Sequence, residues 1–251
     1  MAIYHFSVQV IGRAQGRSAV AAAAYRAGER LHDERLDRDH DFTNKSGVVH
    51  SEILLPEGAP ERFSDRETLW NEVEATEKRK DAQLSREVEF SIPREMTQAQ
   101  GVELARDFAQ AEFVERGMIA DLNVHWDIGA DGLAKPHAHV MLTMREVNEQ
   151  GFGAKERDWN RTELVEQWRE RWADHVNNRL AELDIDARID HRSLEAQGIG
   201  LEPQDKIGPA ASRMGERGLE SERIEDHRAI AQRNGERIIA EPRIALDAIT
   251  H

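Results

Sequence analysis

The chain has 251 residues, no cysteine and a formal net charge of −14 at pH 7. The lack of cysteine excludes a disulfide-stabilised scaffold, a thiol nucleophile and a thiolate-bound metal ion. The sequence contains neither a run of about 18 apolar residues nor a signal peptide, so we expect a cytoplasmic protein without membrane insertion.

The first part of the chain alternates between strand and helix patterns. Residues 3–11 alternate in polarity and predict a strand, and Ser18 caps an alanine-rich helix that runs to about residue 29. Residues 31–50 are charged and irregular, which predicts an excursion loop. A strand over 48–55 follows, and then a helix from a capping-box pattern at 64–67 to about residue 80.

The middle of the chain predicts further strands around a helix. Residues 84–92 alternate, and Glu87 and Glu89 lie on their polar face. A helix is expected over 97–117. Strands over 122–128 and 137–144 are joined by a glycine-rich connection, which indicates an antiparallel hairpin.

Beyond this hairpin the chain is mostly helical. A second capping-box pattern at 160–163 precedes an apolar stripe that ends at Leu183, and a helical tail is expected over 219–233. Irregular alternation of strands and helices, with one hairpin, favours an α+β fold with an antiparallel sheet.

The sharpest chemical feature is a set of three histidines. His137 and His139 share one face of their strand, and His125 lies on the polar face of the strand before it. If the two strands pair, the three imidazoles converge into an open metal site, which suits a catalytic ion better than a structural one. Surface histidines or a hydrogen-bonded pair would give the same pattern.

Carboxylates accompany the histidines. Glu87 and Glu89 could ligate an ion, orient a ligating histidine or act as a base, whereas two glutamates on a strand face are often only solvated. Asp127, on the same face as His125, is a weaker candidate of the same kind.

Tyr25 is a candidate nucleophile in the alanine-rich helix, although a packed aromatic residue is the simpler interpretation. The acidic balance argues against a nucleic-acid partner. Residues 1–30, however, carry a net charge of +3, and four arginines contribute to it: Arg13, Arg17, Arg26 and Arg30.

Together these motifs resemble the MobA/MobL-type (MobQ class) plasmid mobilisation relaxases of the three-histidine HUH endonuclease superfamily. The matching segments occur in the family's order over about residues 1–210: 1–6 (MAIYHF), 17–26 (RSAVAAAAYR), 86–93 (REVEFSIP), His125 with 136–141 (PHAHVM), 172–175 (WADH) and 189–199 (IDHRSLEAQGI).

The resemblance implies a metal-dependent enzyme that nicks and rejoins single-stranded DNA at a plasmid transfer origin through a 5′-phosphotyrosine. It implies Tyr25 as nucleophile and Glu87, followed by Glu89 and Glu95, as supporting carboxylates. It also implies DNA contacts from the arginines Arg13, Arg17 and Arg26. His125, His137 and His139 would hold Mg²⁺ or Mn²⁺. Relaxosome accessory proteins and the conjugative secretion machinery are the further partners that it implies.

The resemblance also implies a five-stranded antiparallel sheet flanked by helices. We expect a relaxase domain over 1–208 and a C-terminal extension over 209–251 that is helical or links to further domains. Two rival functions remain open from the residues alone. One is a metal-dependent hydrolase that uses a metal-bound water, and the other is a DNA-binding module without chemistry.

Overall fold

The computed structural model describes residues 4–129, 131–203 and 222–240. The chain divides into two compact units, Met1–Ile185 and Asp186–His251. The expected domain boundary after residue 208 lies outside the described residues and stays a prediction. In the parts of the chain that the structure describes, no helix is long and apolar enough to cross a membrane.

The first unit is built on a five-stranded sheet in which every neighbouring pair is antiparallel. In spatial order its strands are β1 (Phe6–Gly12), β5 (Gln83–Ser91), β7 (Ala134–Leu142), β6 (Ala120–Ile128) and β4 (Val48–Leu54). This sheet, with helices on both faces, confirms the expected α+β fold.

Helices flank the sheet, and two small hairpins extend it. The first unit contains α1 (Ala19–Ala27), α2 (Arg66–Thr76), α3 (Gln98–Glu112) and α4 (Thr162–Glu182). The hairpins pair β2 (Arg30–Asp33) with β3 (Arg38–Asp41), and β8 (Arg145–Asn148) with β9 (Gly151–Lys155). The second unit contains α5 (Glu222–Ala240), which confirms a helical tail with different bounds; residues 219–221 of the prediction lie outside the described residues.

One predicted element was wrong and one hairpin was missed. The segment 31–50 is not an irregular loop, because most of it forms the β2–β3 hairpin around the buried Leu31. The polar and apolar alternation of β2 and β3 is obscured in the sequence, because charged side chains pair across the two strands, as Arg30 does with Asp39. The β8–β9 hairpin was not predicted at all.

Two predicted helix caps were also wrong. Asp65, not Ser64, caps α2, because the Ser64 hydroxyl donates instead to the carbonyl oxygen of Glu61 in the preceding 3-10 turn. The position before α4 is Arg161, which makes no side-chain cap. The caps expected at Ser18 and Thr97 are present.

The two faces of the sheet have different environments. One face is apolar and packs against α3 and α4, where the ring of Phe90 lies 5.4 Å from that of Phe108 and 4.1 Å from that of Trp172. The other face is covered in part by α1 and α2, whose buried residues include Ala23 and Trp70. The part that remains partly open carries the three histidines.

Candidate metal centre and nucleophile helix

The three histidines converge, as the strand pattern predicts. His125 on β6 lies directly opposite His137 on β7, and His139 follows two residues later on the same face. The ring centroids are 4.8 to 5.1 Å apart. One nitrogen of each ring lies within 4.8 Å of the other two.

Each imidazole is oriented by one hydrogen bond. His139 Nδ1 lies 2.7 Å from Glu87 Oε1, His137 Nδ1 lies 2.8 Å from the Lys135 carbonyl oxygen, and His125 Nε2 lies 2.7 Å from the carbonyl oxygen of Arg26. Because the partners are acceptors, these nitrogens donate. The opposite nitrogen of each ring then keeps a lone pair.

This donor set fits a divalent ion. Two nitrogens bound to one ion at about 2.1 Å are at most about 4.2 Å apart, so small rotations of the rings would bring all three into range. Burial lowers the pKa of His125 to about 3, helped by the charges of Lys45 and the other two histidines and opposed by the Arg26 carbonyl. Burial also lowers the pKa of His137. Both rings are therefore neutral at pH 7, which is the form that binds metals.

Glu87 is the carboxylate that the structure places at the centre. It is 1% exposed and accepts hydrogen bonds from His139, from Gln9 Nε2 at 2.6 Å and from two nitrogens of Arg26, with Nε at 2.6 Å. Burial raises the pKa of Glu87, but the hydrogen bonds from His139 and Arg26 and their charges outweigh it and lower the pKa to about 2. Glu87 is thus an anion that orients one of the histidines.

The other candidate carboxylates have environments different from that of Glu87. Glu89 is opposite His139 in the strand register, but its side chain is 25% exposed and lies 3.7 Å from His5. Asp127 Oδ2 is 3.9 Å from His137 Nε2 and half exposed. Glu95 lies beyond the end of β5.

Tyr25 lies in the last turn of α1 and is 50% exposed. Its ring packs edge-to-face against Phe42, with the centroids 5.3 Å apart. The next residue, Arg26, bonds to Glu87 through its side chain and to His125 through its carbonyl oxygen. The end of the helix that carries Tyr25 is therefore attached to the histidine cluster.

The three predicted DNA-contacting arginines have different environments. Arg17 is exposed, and its Nη1 lies 3.5 Å from Gln9 Oε1. Arg26 is neutralised by Glu87, as described above. Arg13 is not brought to the histidines, because its guanidinium pairs with the buried Glu74 at 2.6 Å.

The carbonyl oxygens of residues 74, 77 and 79 also accept from Arg13, at 2.7 to 3.0 Å. This side chain thus holds the end of α2. Arg13 therefore stabilises the fold through these contacts, and its contact with DNA stays a prediction.

Two residues of the site were missed by sequence reasoning. Gln9 donates to Glu87, and Lys45 lies over the ring of Tyr25. Gln9 was assigned to the polar face of its strand, which is the one signal that could have found it. Lys45 lies in the segment that was interpreted as a loop, and nothing in the local sequence distinguishes it.

The model of the MobA/MobL family matches residues 17–217. The chain belongs to the MobA/MobL family. A conjugal transfer protein TraA of Agrobacterium fabrum is 38% identical and aligns with 99% of the chain but only 26% of its own length. The mobilization protein MobL of Acidithiobacillus ferridurans is 38% identical over 90% of the chain and 67% of its own length. This MobA/MobL chain therefore spans about a quarter of the TraA relative.

Solved structures agree with this membership. A structure described as the molecular basis of vancomycin resistance transfer in Staphylococcus aureus is 35% identical, has a TM-score of 0.71, and covers 76% of this chain and 100% of its own. The metal-bound conjugative relaxase TrwC in complex with oriT DNA has a TM-score of 0.50 at 14% identity, over 93% of this chain and 98% of its own, which shows a shared fold.

Proposed function

We propose that this chain is a conjugative relaxase that nicks one strand of DNA at a plasmid transfer origin and later rejoins it. The observation that carries the proposal is the attachment of the Tyr25 helix to three converging histidines through Arg26. An exposed tyrosine beside a divalent-ion site has the parts that a phosphoryl transfer needs. Membership of the MobA/MobL family supports the same activity.

In the proposed reaction the Tyr25 hydroxyl oxygen attacks the scissile phosphorus. A bond from phosphorus to the tyrosine oxygen forms, and the bond to the 3′ oxygen breaks. The phenol proton passes to solvent and the leaving 3′ oxygen takes up a proton. The 5′ end stays attached as a phosphotyrosine, and the reverse reaction rejoins the strand without an external energy source.

The histidines would hold Mg²⁺ or Mn²⁺, which would neutralise charge on the phosphate oxygens. Glu87 keeps His139 oriented by accepting from Nδ1, so that Nε2 faces the ion. Glu89 is a less favoured candidate for this role, because its side chain is 25% exposed and lies 3.7 Å from His5. Arg17, exposed near Gln9, is the predicted arginine best placed to contact the strand.

A single strand is the substrate that the surface favours. The tip of the β6–β7 hairpin exposes Ile128 (65%) and Leu133 (49%), and Val49 on β4 is also exposed (38%). Unpaired bases offer apolar faces to such side chains, whereas a duplex conceals them. Relaxosome accessory proteins and the conjugative secretion machinery are the further partners of the proposed reaction.

The test is a covalent adduct assay. The protein is incubated with labelled single-stranded DNA from the transfer origin of its own plasmid and Mn²⁺, and adducts are resolved on a denaturing gel. We expect a protein–DNA band with wild type that disappears with EDTA and in Tyr25→Phe.

The chain contains only two tyrosines, so Tyr4→Phe is the matched control and keeps the band. The Tyr4 hydroxyl donates to the carbonyl oxygen of Arg169, away from the histidines. Cleavage that persists in Tyr25→Phe would contradict the proposal and favour a hydrolase with a metal-bound water.

A further inference from the structure

Lys45 is a cation held at a fixed place beside the exposed tyrosine. Its Nζ donates to the carbonyl oxygen of Tyr25 at 3.0 Å and lies 3.9 Å from the centre of the Tyr25 ring. Its backbone amide donates to the carbonyl oxygen of Phe42, whose ring packs against another side of Tyr25. The ammonium position is thus fixed by two contacts to Tyr25.

The charge of Lys45 has no close counterion. Among the residues that the structure describes, no carboxylate lies within 4.0 Å of Lys45 Nζ, and the charges of Asp127, Glu87 and Arg26 act on it from greater distances. In contrast, Arg26 and Arg13 each pair with a buried carboxylate.

Lys45 is also half-buried, and burial lowers its pKa. A partly desolvated ammonium with no carboxylate beside it among the described residues favours the binding of an anion.

The position of Lys45 identifies the anion. Lys45 Nζ bonds to the carbonyl oxygen of Tyr25, and the next carbonyl oxygen along the chain, that of Arg26, bonds to His125, so the ammonium lies close to the histidine cluster. An ammonium has three donors, of which the Tyr25 carbonyl takes one. Two N–H donors of Lys45 remain for an anionic group that reaches both the Tyr25 hydroxyl and the candidate metal site.

We propose that Lys45 binds a backbone phosphate of the DNA strand at the cleavage site, through a non-bridging oxygen. This inference rests on the proposed function and adds to it a phosphate-binding residue that is not one of the arginines. Lysine binds phosphate as a point charge and does not need the planar geometry of an arginine pair.

A purely structural role is the alternative, in which Lys45 only holds the Tyr25 ring in place. The two roles differ in how DNA binding depends on salt. Each phosphate neutralised on a single strand contributes a slope of about −0.7 to log affinity against log salt concentration. A lysine that only packs on a tyrosine contributes nothing to that slope.

The experiment measures binding of a labelled dT oligonucleotide of about 20 nucleotides by fluorescence anisotropy, in EDTA, between about 50 and 200 mM NaCl. We expect the slope of Lys45→Gln to be less steep than wild type by about 0.7, and Lys45→Arg to restore it. Lys78→Gln, which removes the same charge from an exposed turn beyond α2, keeps the wild-type slope.

A Lys45→Gln slope equal to wild type would overturn the inference, whatever the change in affinity. Thermal unfolding of each variant verifies that it is folded, and Lys45→Met, which also removes the charge and should reduce the slope equally, replaces the Gln variant if that one is not. Because the titration needs neither metal nor cleavage, its failure differs from that of the proposed function. The latter would appear as absent binding by wild type or as an adduct that does not depend on Tyr25.

Discussion

Replacing Glu87 by glutamine distinguishes the two glutamates that sequence reasoning offered for the metal centre. Glu87 is 1% exposed and accepts from His139, Arg26 and Gln9. Glutamine has nearly the same shape but no charge. The variant therefore leaves the Arg26 guanidinium beside a neutral group and removes the anion that orients His139.

The structure sets the size of both effects. Removing one partner of a buried ion pair costs about 3 to 5 kcal/mol, and the Arg26 side chain is 13% exposed. We therefore expect a loss near the lower end, about 3 kcal/mol, in the free energy of unfolding.

The pKa of Glu87 agrees with that estimate. A decrease from 4.5 to about 2 corresponds to about 3 kcal/mol, at about 1.4 kcal/mol per pH unit. Losing the carboxylate behind a ligating histidine also weakens metal binding about 10- to 100-fold.

Urea unfolding in EDTA gives the first quantity, and titration of Mn²⁺ by calorimetry near neutral pH gives the second. Glu89→Gln is the matched control, because it removes the same charge two residues along the same strand face. We expect Glu89→Gln to bind Mn²⁺ within about threefold of wild type, since the Glu89 side chain is 25% exposed and lies 3.7 Å from His5, whereas Glu87 accepts directly from His139. A wild-type Mn²⁺ affinity in Glu87→Gln, or a larger loss in Glu89→Gln, would refute this reasoning.

Two further predictions concern buried groups outside the histidine cluster. Arg13→Gln should destabilise the fold by about 2 to 3 kcal/mol in urea unfolding, because it removes a charged partner of the buried Glu74. It should leave the salt dependence of DNA binding unchanged, and a less steep slope would show that Arg13 contacts DNA. Asp33 is fully buried, and although burial raises its pKa, hydrogen bonds from Ser18, the Leu36 amide and His40 outweigh it and lower the pKa. The ionised Asp33 stabilises the fold above the pKa of its carboxyl in the unfolded state, near 4, and this stabilisation is lost as the pH falls through the lower pKa in the folded state. Asp33→Asn should therefore lose less stability than wild type between pH 7 and about pH 3, and equal losses would contradict this.

Strand periodicity predicted the geometry of the candidate site well. Alternation placed Glu87 and Glu89 on the face that carries His125, and the hairpin prediction placed His125 beside His137. These predictions succeeded because a period of two is a local property of the backbone that tertiary contacts rarely change. Tyr25 was a candidate nucleophile from the residues alone, and the resemblance favoured this prediction over the interpretation as a packed aromatic residue.

Partner choice among charged residues could not be predicted in the same way. The net charge of +3 over residues 1–30 suggested a basic surface, yet Arg13 pairs with Glu74 and Arg26 with Glu87. Both carboxylates come from elements 61 residues further along the chain. A local charge sum does not contain such pairs, so it overestimated the field that DNA would meet.

Long-range contacts of this kind also explain how the exposed candidate nucleophile, Tyr25, can be held firmly. At the start of α1, the Ser18 hydroxyl donates to Asp33 at 2.5 Å and the amide of Ala19 donates to Glu74 at 2.9 Å. At its end, Arg26 joins Glu87 and His125. Both ends of α1 are therefore fixed, the start by the buried carboxylates of Asp33 and Glu74 and the end by Glu87 and His125.

The position of Tyr25 is set mainly by the fixed ends of α1 and less by the contacts of its own side chain. Its ring is half exposed, so side-chain packing alone does not set where the hydroxyl lies. A helix fixed at both ends determines the position of its Cα, and the contacts with Phe42 and Lys45 restrict the ring. In the proposed reaction, the Tyr25 side chain is therefore already in position before DNA binds, because folding of the protein positions it. The acidic residues that seemed to exclude a nucleic-acid partner thus include those that build the candidate site.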